Sequence, residues 1–371
     1  MAMARRTRCL TGGKTGGRSR LPFEEPAFVA DLGPGEGFMD KLAWGVLSTA
    51  KIAREKVIPP LQASRLCRVD AIASRDLALG RAAADQLGVA RAYGSYEELL
   101  ADPDIRVIYN PLPNHLHVEW TRKAAEAGKH VLCEKPIGLT AAEAEELVRV
   151  RDRTGVRIQE AFMVRTHPQW LKVREIVQGG RIGELRSIVG VFSYMNTNPA
   201  DIRNTVDAGG GGLLDIGCYP TTTSRFVTGR EPRRVAAVVE RDPAFGTDRL
   251  GSAILDFDGV QCVFTYSTQL APRQTMQFFG TKGRLEVEIP FNAPNDRPCR
   301  LFVHDGSSLA GDDREVVEIP ACDQYGVMGD AFAAAILEDR PQPVPLEDSV
   351  LNMRVIDAAF RAAANGTWER P

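Results

Sequence analysis

Between residues 41 and 162 the chain alternates short apolar runs with segments of helical periodicity. Most of the helical segments end at a glycine, a common residue just past a helix C-terminus. The segment AKIAREKVIPPLQAS (50–64) is predicted as a helix whose end is broken by Pro59 and Pro60. This alternation predicts right-handed βαβ crossovers and a doubly wound parallel sheet with helices on both faces. The predicted strands are LAWGVL (42–47), RVDAIAS (68–74), IRVIYNPLP (105–113), KHVLCEKP (129–136) and VRIQEAF (156–162).

After about residue 162 the pattern becomes β-rich, often alternating apolar with polar positions, with turn signals such as DFDG and GTKG between the runs. This pattern predicts a large, mostly antiparallel open sheet with one face against helices. The other face would be free to pair with a second subunit, so we expect a homodimer or a homotetramer. The sequence therefore predicts a nucleotide-binding α/β domain over 39–161 and an α+β substrate-binding and oligomerisation domain over 162–371, closed by helices that can pack on the first domain.

Composition narrows the function classes. The chain has 371 residues, which suits two domains. A formal net charge of −2 gives no sign of a nucleic-acid or anionic-membrane partner. No apolar run approaches the ~18–20 residues that cross a bilayer. The seven cysteines are scattered without a CxxC pair, and the five histidines lack ligand spacing. We therefore expect reduced thiols in the cytoplasm and no metal site.

The first 38 residues differ from the rest. Their opening stretch, MAMARRTRCLTGGKTGGRSR, has six basic residues and no acidic ones. This composition is compatible with a transit peptide or a twin-arginine export signal. No apolar segment follows Arg5 and Arg6, which argues against export. We interpret residues 1–38 as a disordered tail ahead of the first strand.

The carboxyl end of the first predicted strand is where a parallel sheet would bind a dinucleotide. The stretch GVLSTAKIA (45–53) has Ser48, Ala50 and Ala53 where the fingerprint G-x-G-x-x-G has glycine. All three residues are small, and amides at a helix N-terminus can receive a pyrophosphate. Taken alone, the stretch fits an ordinary strand–helix turn equally well. The candidate cofactor-binding residues of this stretch are Ser48, Thr49, Ala50, Lys51 and Ile52.

The end of the second strand bears on the choice of cofactor. An acidic residue there would accept hydrogen bonds from the ribose hydroxyls of NAD. This chain has Ser74 and Arg75 instead, and a hydroxyl with a guanidinium suits the extra phosphate of NADP. The alternative is a solvated arginine that opens a helix. Within a dinucleotide-binding domain, these residues favour NADP over NAD.

The element CEKP (133–136) ends a predicted strand, which would bring Lys135 to the same edge of the sheet. Pro136 holds the lysine backbone in an extended conformation and so limits where the ammonium can point. A second unusual element is GGGGLLDIGCYP (209–220), in which four glycines precede Asp215 and Tyr219. If a helix begins near Asp215, the two side chains share one face at i, i+4 spacing. The alternative is that Asp215 only caps the helix and Tyr219 packs in the core.

Five elements occur in an order that resembles the glucose–fructose oxidoreductase / inositol dehydrogenase (Gfo/Idh/MocA) family over roughly residues 42–365. They are NPLPNHLHVEW, AAEAGKHVLCEKPIG, EAFMVRTHPQ, GGGGLLDIGCYP and FGTKGRLEVEIPFNAP. The resemblance implies an N-terminal Rossmann domain and a C-terminal domain with a large open sheet. It implies oxidation or reduction of sugars, polyols and related compounds with NAD(P).

The same resemblance implies roles for individual residues. Lys135 matches the lysine of the family's EKP element, Asp215 its aspartate, and Tyr219 the acid/base position. Inositol dehydrogenases usually have histidine at that last position. The tyrosine resembles the branch of NADP-dependent xylose dehydrogenase and dimeric dihydrodiol dehydrogenase. The cofactor residues implied beyond the first two strands are Leu112, Asn114, His117, Glu134 and Lys135.

These assignments lead to a mechanistic hypothesis. A tyrosine with a pKa near 10 is a poor base at neutral pH, and a lysine ammonium nearby would lower that pKa. We therefore expect Tyr219 to act as general acid/base and Lys135 as its electrostatic partner and an anchor for substrate. Asp215 would orient the substrate. The glycine run would let the backbone pass close to the substrate or nicotinamide.

Three further residues are candidates for binding substrate: Arg165 and His167 in MVRTHPQ, and Arg203 in NPADIRN. Each is equally compatible with a loop residue in solvent. The leading interpretation is an NADP-linked sugar or polyol dehydrogenase without metal. The alternatives are reduction of a nucleotide-linked keto-sugar, oxidation of a trans-dihydrodiol, or a cofactor-sensing regulator without turnover.

Overall fold

The structure, a computed structural model, describes residues 40–371. The predicted tail at 1–38 lies outside these residues. Within them, the first sheet has six strands in the order β3-β2-β1-β4-β5-β6, all parallel. This order is that of a Rossmann fold, and it confirms the predicted fold class of the N-terminal half. The strands are β1 Leu42–Leu47, β2 Cys67–Ala73, β3 Arg91–Tyr93, β4 Val107–Asn110, β5 His130–Cys133 and β6 Ile158–Glu160.

Helices alternate with these strands, and two of them begin at a capping side chain and end at a glycine. Asp76 accepts from two amides at the start of α2, and Thr140 accepts from the amide of Glu143 at the start of α5. Both helices end at a glycine with positive φ, Gly88 and Gly155. The helices of this half are α1 Ile58–Ala63, α2 Leu77–Leu87, α3 Tyr96–Leu100, α4 His117–Glu126 and α5 Ala141–Thr154.

The first helical segment corrects one prediction. Pro59 and Pro60 do not break it, because α1 continues to Ala63. A wide π-type turn over Ala53–Val57 precedes α1, and the prolines fall in the first turn of α1. In a first turn the amide that proline lacks needs no partner within the helix. The short edge strand β3 was also not predicted, since three residues carry too little periodicity.

The second sheet has eight strands in the order β14-β13-β12-β11-β7-β10-β9-β8. Only the pair of β7 and β10 is parallel, which confirms the mostly antiparallel prediction. The strands are β7 Leu185–Met195, β8 Arg234–Arg241, β9 Asp248–Asp256, β10 Gln261–Ser267, β11 Gln269–Gly280, β12 Arg284–Val287, β13 Cys299–His304 and β14 Arg314–Ile319.

One face of this sheet is covered by α6 Pro168–Gln178 and α7 Cys218–Thr228. The last two helices, α8 Gln324–Leu337 and α9 Leu346–Asn365, return to the first half of the chain. Helix α8 contacts α1 and β2, whereas α9 contacts both α5 and β8 of the second sheet. An edge-to-face pair between Trp44 of β1 and Phe332 of α8, 6.1 Å between ring centroids, belongs to this contact. The division at residue 161/162 stays a prediction.

Candidate active site

A cavity of about 890 Å³ lies where the carboxyl ends of β4 and β5 meet β7, β11 and the turn before α7. Parallel sheets bind their ligands at this edge. The predicted site residues Ile52, Leu112, Asn114, His117, Glu134, Lys135, Arg203, Asp215 and Tyr219 line it. Lys135 and Asp215, 80 positions apart in the chain, therefore meet at one opening.

Lys135 follows β5, and its ammonium points across the cavity toward the second half of the chain. Nζ donates to the main-chain oxygen of Asp215 at 2.6 Å and lies 3.1 Å from Asp215 Oδ1. Burial alone would lower the pKa of Lys135, but the Asp215 carboxylate outweighs it and raises that pKa above its ordinary value. Lys135 is therefore a fixed positive charge at neutral pH.

Asp215 lies in a π-type turn over Leu213–Gly217 that leads into α7. Besides Lys135, its carboxylate contacts Arg203 Nε at 3.3 Å and accepts from Tyr194 Oη at 2.5 Å. Burial would raise its pKa, yet these partners, Lys135 first, lower the pKa of Asp215 to about 2. We call Lys135, Asp215, Arg203 and Tyr194 the cavity cluster. Asp215 is therefore not merely a helix cap, because its carboxylate holds two cations.

Tyr219 is the second residue of α7, and its ring forms part of the cavity wall. Phe162, Phe192 and Phe291 surround the ring at centroid distances of 5.4, 5.6 and 5.3 Å. The ammonium of Lys135 lies 5.0 Å from the ring centroid. The phenol donates to the sulfur of Met163 at 3.6 Å, a weak acceptor.

The pKa of Tyr219 moves in the direction opposite to the sequence-based expectation. Burial among aromatic rings raises it well above 10, because the phenolate would lose its hydration. The ammonium of Lys135 does not offset this effect, since its charge is matched by Asp215. Tyr219 is therefore a protonated phenol in this structure.

The glycine run is crowded by protein atoms. A Cβ on Gly210 would lie 2.4 Å from the main-chain oxygen of Arg203, and one on Gly211 would lie 2.0 Å from Asp248 Oδ1. Gly209 and Gly211 also have positive φ angles of 75° and 128°. We expected the backbone of the glycine run to pass close to the substrate or the nicotinamide. The atoms that leave no room for a side chain belong to Arg203 and Asp248 instead. Gly210 and Gly211 nevertheless line the cavity.

The predicted cofactor loop lies at the adjacent edge of the first sheet. Ser48 follows β1 with a φ of 75°, and its hydroxyl accepts from the amide of Ala50 at 3.2 Å. The first helical hydrogen bond runs from the amide of Arg54 to the oxygen of Ala50. The amides of Thr49, Lys51 and Ile52 precede it at the helix start. Of this loop, only Ile52 reaches the large cavity.

Ser74 and Arg75 lie beside this loop, because β1 and β2 pair up to Leu47 and Ala73. Ser74 is buried and accepts from the amide of Asp76, whereas Arg75 is exposed. The carboxylate of Asp76 accepts from two amides of α2 at 2.9 and 3.2 Å. This acid is therefore engaged in capping, and the groups at the strand end are a hydroxyl and a guanidinium.

The loops after β4 and β5 join the two halves of the site. Asn114 donates to the oxygen of Gly209 at 2.9 Å. Glu134 accepts from Tyr109 at 2.6 Å, and burial raises its pKa. His117 has ring nitrogens 2.7 Å from the oxygen of Pro136 and 2.6 Å from that of Leu112. Burial lowers the pKa of His117 to about 4, and a neutral ring donates to one of these two oxygens.

Two predicted substrate residues do not line the cavity. Arg165 is buried and forms an ion pair with Asp348 of α9, so its guanidinium points away from the opening. His167 caps α6 through Nδ1, and its Nε2 lies 3.3 Å from Cys322 Sγ. Both residues follow β6, the edge strand, and the chain there leads into α6 and does not cross the cavity.

Several lining residues were not predicted from the sequence. They are Met163, Phe192, Tyr194, Arg273, Glu288 and Tyr325. Strand alternation in FSYM places Tyr194 on one face of β7 but cannot indicate that this face meets Asp215. Among residues 40–371, no group of three or more His, Cys, Asp or Glu side chains could hold a metal ion. No helix in the same range is long and apolar enough to cross a membrane.

A Rossmann sheet with a lysine, an aspartate and a tyrosine in one cavity at its ligand-binding edge is typical of an oxidoreductase with a domain that binds a nicotinamide dinucleotide. Comparison with family models agrees with this class. Residues 42–162 match the oxidoreductase family with an NAD-binding Rossmann fold, and residues 170–286 match the GFO/IDH/MocA C-terminal domain. The chain belongs to the Gfo/Idh/MocA family of oxidoreductases.

Individual relatives and a solved structure extend this finding. An oxidoreductase of Rhizobium meliloti is 49% identical over 89% of this chain and 99% of its own. The NADP-dependent D-xylose 1-dehydrogenase 2 of Haloferax volcanii is 38% identical over 88% of this chain and 98% of its own. A trans-1,2-dihydrobenzene-1,2-diol dehydrogenase of Xenopus laevis is 35% identical over 66% of this chain and 74% of its own.

The solved structure is a 3-ketoreductase from Actinomadura kijaniata, crystallised with NADP and TDP-benzene. It has a TM-score of 0.82 and 32% identity, and covers 87% of this chain and 98% of its own. The relatives thus include both a xylose dehydrogenase and a dihydrodiol dehydrogenase, which confirms the branch inferred from Tyr219.

Proposed function

We propose that this protein is an NADP-dependent dehydrogenase or reductase that acts on a CH–OH group, or the corresponding carbonyl, of a sugar or polyol. One observation carries the proposal: Lys135, Asp215 and Tyr219 line a single cavity at the ligand-binding edge of the Rossmann sheet. The cavity of about 890 Å³ is large enough for a small carbohydrate beside a nicotinamide ring.

The residues of the sheet edge fit a dinucleotide. The loop Ser48–Ile52 would receive the pyrophosphate on amides at the helix start. Ser74 and Arg75 would bind the 2′-phosphate that distinguishes NADP, since Asp76 caps α2. An NADP-dependent relative and a neighbour crystallised with NADP support the same choice. Leu112, Asn114, His117, Glu134 and Lys135 would flank the nicotinamide end.

Bound nicotinamide would supply or accept the hydride at the substrate carbon. Tyr219 Oη would hold the proton that moves to or from the substrate oxygen. Burial keeps this phenol protonated at neutral pH, so it holds the proton that reduction of a carbonyl requires. Oxidation would require the phenolate, so we expect its rate to rise as the solution becomes alkaline.

Lys135 and Asp215 would set the position and the charge around that proton. The ammonium of Lys135 would bind the substrate oxygen and stabilise negative charge on it. Asp215 would hold Lys135 in place and accept a substrate hydroxyl hydrogen. Crystals of the Actinomadura enzyme include a Tyr-to-Phe and a Lys-to-Ala variant. Those two positions stand as far apart in that chain as Lys135 and Tyr219 do here.

Two alternatives use the same site. Reduction of a nucleotide-linked keto-sugar is favoured by the 3-ketoreductase, and oxidation of a dihydrodiol by the Xenopus relative. A regulator without turnover is disfavoured, because sensing a cofactor requires no tyrosine and lysine directed at a substrate. The cytoplasmic location stays a prediction.

We further propose that a second copy of the chain covers the open face of the second sheet. The register places Val316, Phe302, Glu286, Gln277, Val189, Val263, Ile254 and Ala236 in one row across all eight strands. Val189, Val263 and Ile254 are 38%, 38% and 37% exposed. Light scattering should give a dimer or tetramer, and Val263→Glu should dissociate it. A monomeric wild type would contradict this proposal.

The function is tested by cofactor titration followed by a substrate panel. Fluorescence titration should give a lower Kd for NADPH than for NADH, and Arg75→Ala should weaken NADPH alone. Aldoses, polyols, dihydrodiols and keto-sugar nucleotides are then assayed at the nicotinamide absorbance band. Preference for NADH would overturn the cofactor choice. Binding of cofactor without turnover of any compound would overturn the enzymatic proposal.

A further inference from the structure

Arg273 is an unmatched cation on the wall of the cavity. Six Lys, Arg, Asp and Glu side chains line the opening: Lys135, Arg203 and Arg273, with Glu134, Asp215 and Glu288. Asp215 is paired with Lys135 and Arg203, and Glu288 is paired with Arg300 outside the cavity. Arg273 is exposed, and within residues 40–371 it takes part in no ion pair or side-chain hydrogen bond.

Arg273 is an exposed residue that lines the cavity next to an irregularity of β11. The pairing of β11 with β7 shifts between Gln269 and Arg273. Ser193 of β7 donates to the oxygen of Ala271 at 2.7 Å and so holds the bulged segment. Bulges next to active sites redirect the side chains that follow them. Pro272 and Arg273 both line the cavity, and both are exposed.

The same strand pair carries residues of the proposed catalytic wall. Arg273 lies opposite Ser193, and Gln274 lies opposite Phe192. Phe192 packs on the ring of Tyr219, and the next residue but one, Tyr194, donates to Asp215. Arg273 and Lys135 line the same opening, so one substrate can contact both side chains. Gln274 is fixed, since its Oε1 accepts from the amides of Phe291 and Asn292.

We propose that Arg273 binds an anionic group on the substrate, so that the enzyme acts on a sugar carrying a phosphoryl or carboxylate group in preference to a neutral sugar. This inference rests on the proposed function and specifies its substrate class. A guanidinium donates two parallel hydrogen bonds to either anion, whereas a neutral sugar offers only hydroxyls. Arg203 cannot take this role, because its guanidinium is held by Asp201 and Asp215.

The experiment compares matched substrates in wild type and three variants. D-glucose, D-glucose 6-phosphate, D-glucuronate and dTDP-glucose are titrated calorimetrically into protein saturated with NADPH, and turnover is measured with NADP. Arg273→Gln removes the charge, and Arg273→Lys retains it. Arg186→Gln, on the far end of β7 and paired with Glu184, is the matched control.

At least one anionic sugar should bind about tenfold more tightly than glucose to the wild type. Arg273→Gln should weaken that binding about 10- to 100-fold and change glucose binding less than threefold. Arg273→Lys should recover part of the loss, and Arg186→Gln should match wild type. The anion that loses most identifies the source of the charge as phosphate monoester, carboxylate or diphosphate.

Equal binding of glucose and all three anions, or an equal effect of Arg273→Gln on all four, would overturn the inference. Failure of the proposed function gives a different pattern, in which no compound is turned over. The calorimetric comparison still decides the role of Arg273 in that case, because it requires no chemistry.

Discussion

Two clusters of charged side chains lie at opposite ends of α7, and they differ in what they can reach. The cavity cluster near the start of the helix consists of Lys135, Asp215, Arg203 and Tyr194. The second cluster, which we call the buried cluster, consists of Arg165, Arg225, Asp348 and Glu231. Arg225 Nη2 lies 3.1 Å from Asp348, and its Nε lies 2.6 Å from Glu231.

Both clusters lower the pKa of an aspartate that burial alone would raise. The partners of Asp215 are Lys135 and Arg203, and those of Asp348 are Arg165 and Arg225. A perturbed pKa therefore does not distinguish the two. The difference is access: the cavity cluster opens on about 890 Å³ of space, whereas the buried cluster joins the loop after β6 to α7 and α9. Ion pairs with access can meet a substrate, and those without it hold elements together.

The largest effect is expected for the proton donor. Tyr219→Phe keeps the packing against three phenylalanines and removes only the hydroxyl, so kcat should fall about 10²- to 10⁴-fold while NADPH still binds. Steady-state kinetics measure kcat, and fluorescence titration measures the binding of NADPH. Tyr266→Phe, which removes a buried phenol outside the cavity, serves as control. Turnover near that of wild type in Tyr219→Phe would show that this phenol is not the acid.

The buried cluster should instead affect stability. Asp348→Ala leaves Arg165 and Arg225 without their shared carboxylate, and should lower the free energy of unfolding by about 3–5 kcal/mol. Urea denaturation measures the loss, and kcat per folded molecule should stay within about threefold. Asp348→Asn should cost less, since the amide oxygen still accepts hydrogen bonds. A loss of turnover without loss of stability would place this cluster in the catalytic site.

A smaller effect on stability is expected when the pH is lowered until Asp215 of the cavity cluster is protonated. The pKa of Asp215 is about 2 in the folded chain and near 3.8 when unfolded, so ionisation contributes about 2 kcal/mol. This contribution is present above pH 3.8 and is lost as the pH falls through about 2. Between pH 5 and pH 2, wild type should therefore lose more stability than Asp215→Asn, by roughly this amount. Parallel urea midpoints for the two proteins would contradict the pairing.

The smallest effect on stability is expected for Glu231, the more exposed carboxylate of the buried cluster. Glu231 is 43% exposed, in contrast to 1% for its partner Arg225. An ion pair open to water is worth little, so Glu231→Gln should cost less than about 1 kcal/mol in urea denaturation. A cost above about 2 kcal/mol would mean that Glu231 shares the role of Asp348.

Much of the fold was predictable from local pattern. The run LAWGVL forms β1 at the same residues, Leu42–Leu47, and the alternating runs after residue 162 form the second sheet. The edge strand β3 was missed because it spans three residues, and the helix at Pro59 was ended too early because a π-type turn is not visible in periodicity. Such errors are local, and they left the predicted fold class unaffected.

The residues of the candidate site also fall into those that local pattern indicates and those that distant contacts position. Lys135, Asp215 and Tyr219 stand in short motifs at element ends, so their neighbourhood followed from the fold. Arg165 did not join them, because it pairs with a residue 183 positions away in the chain. Arg273 lacked any signal in sequence, since its place on the cavity depends on how β11 pairs with β7.

The sequence by itself determined the two sheets, the family and the three central side chains, because periodicity and short motifs act over a few residues. Only the tertiary structure decided which cation meets which carboxylate, that burial raises the pKa of Tyr219, and that Arg273 has no ionic partner within residues 40–371. These properties depend on desolvation and on charges brought together from distant parts of the chain, and neither is encoded within a local segment.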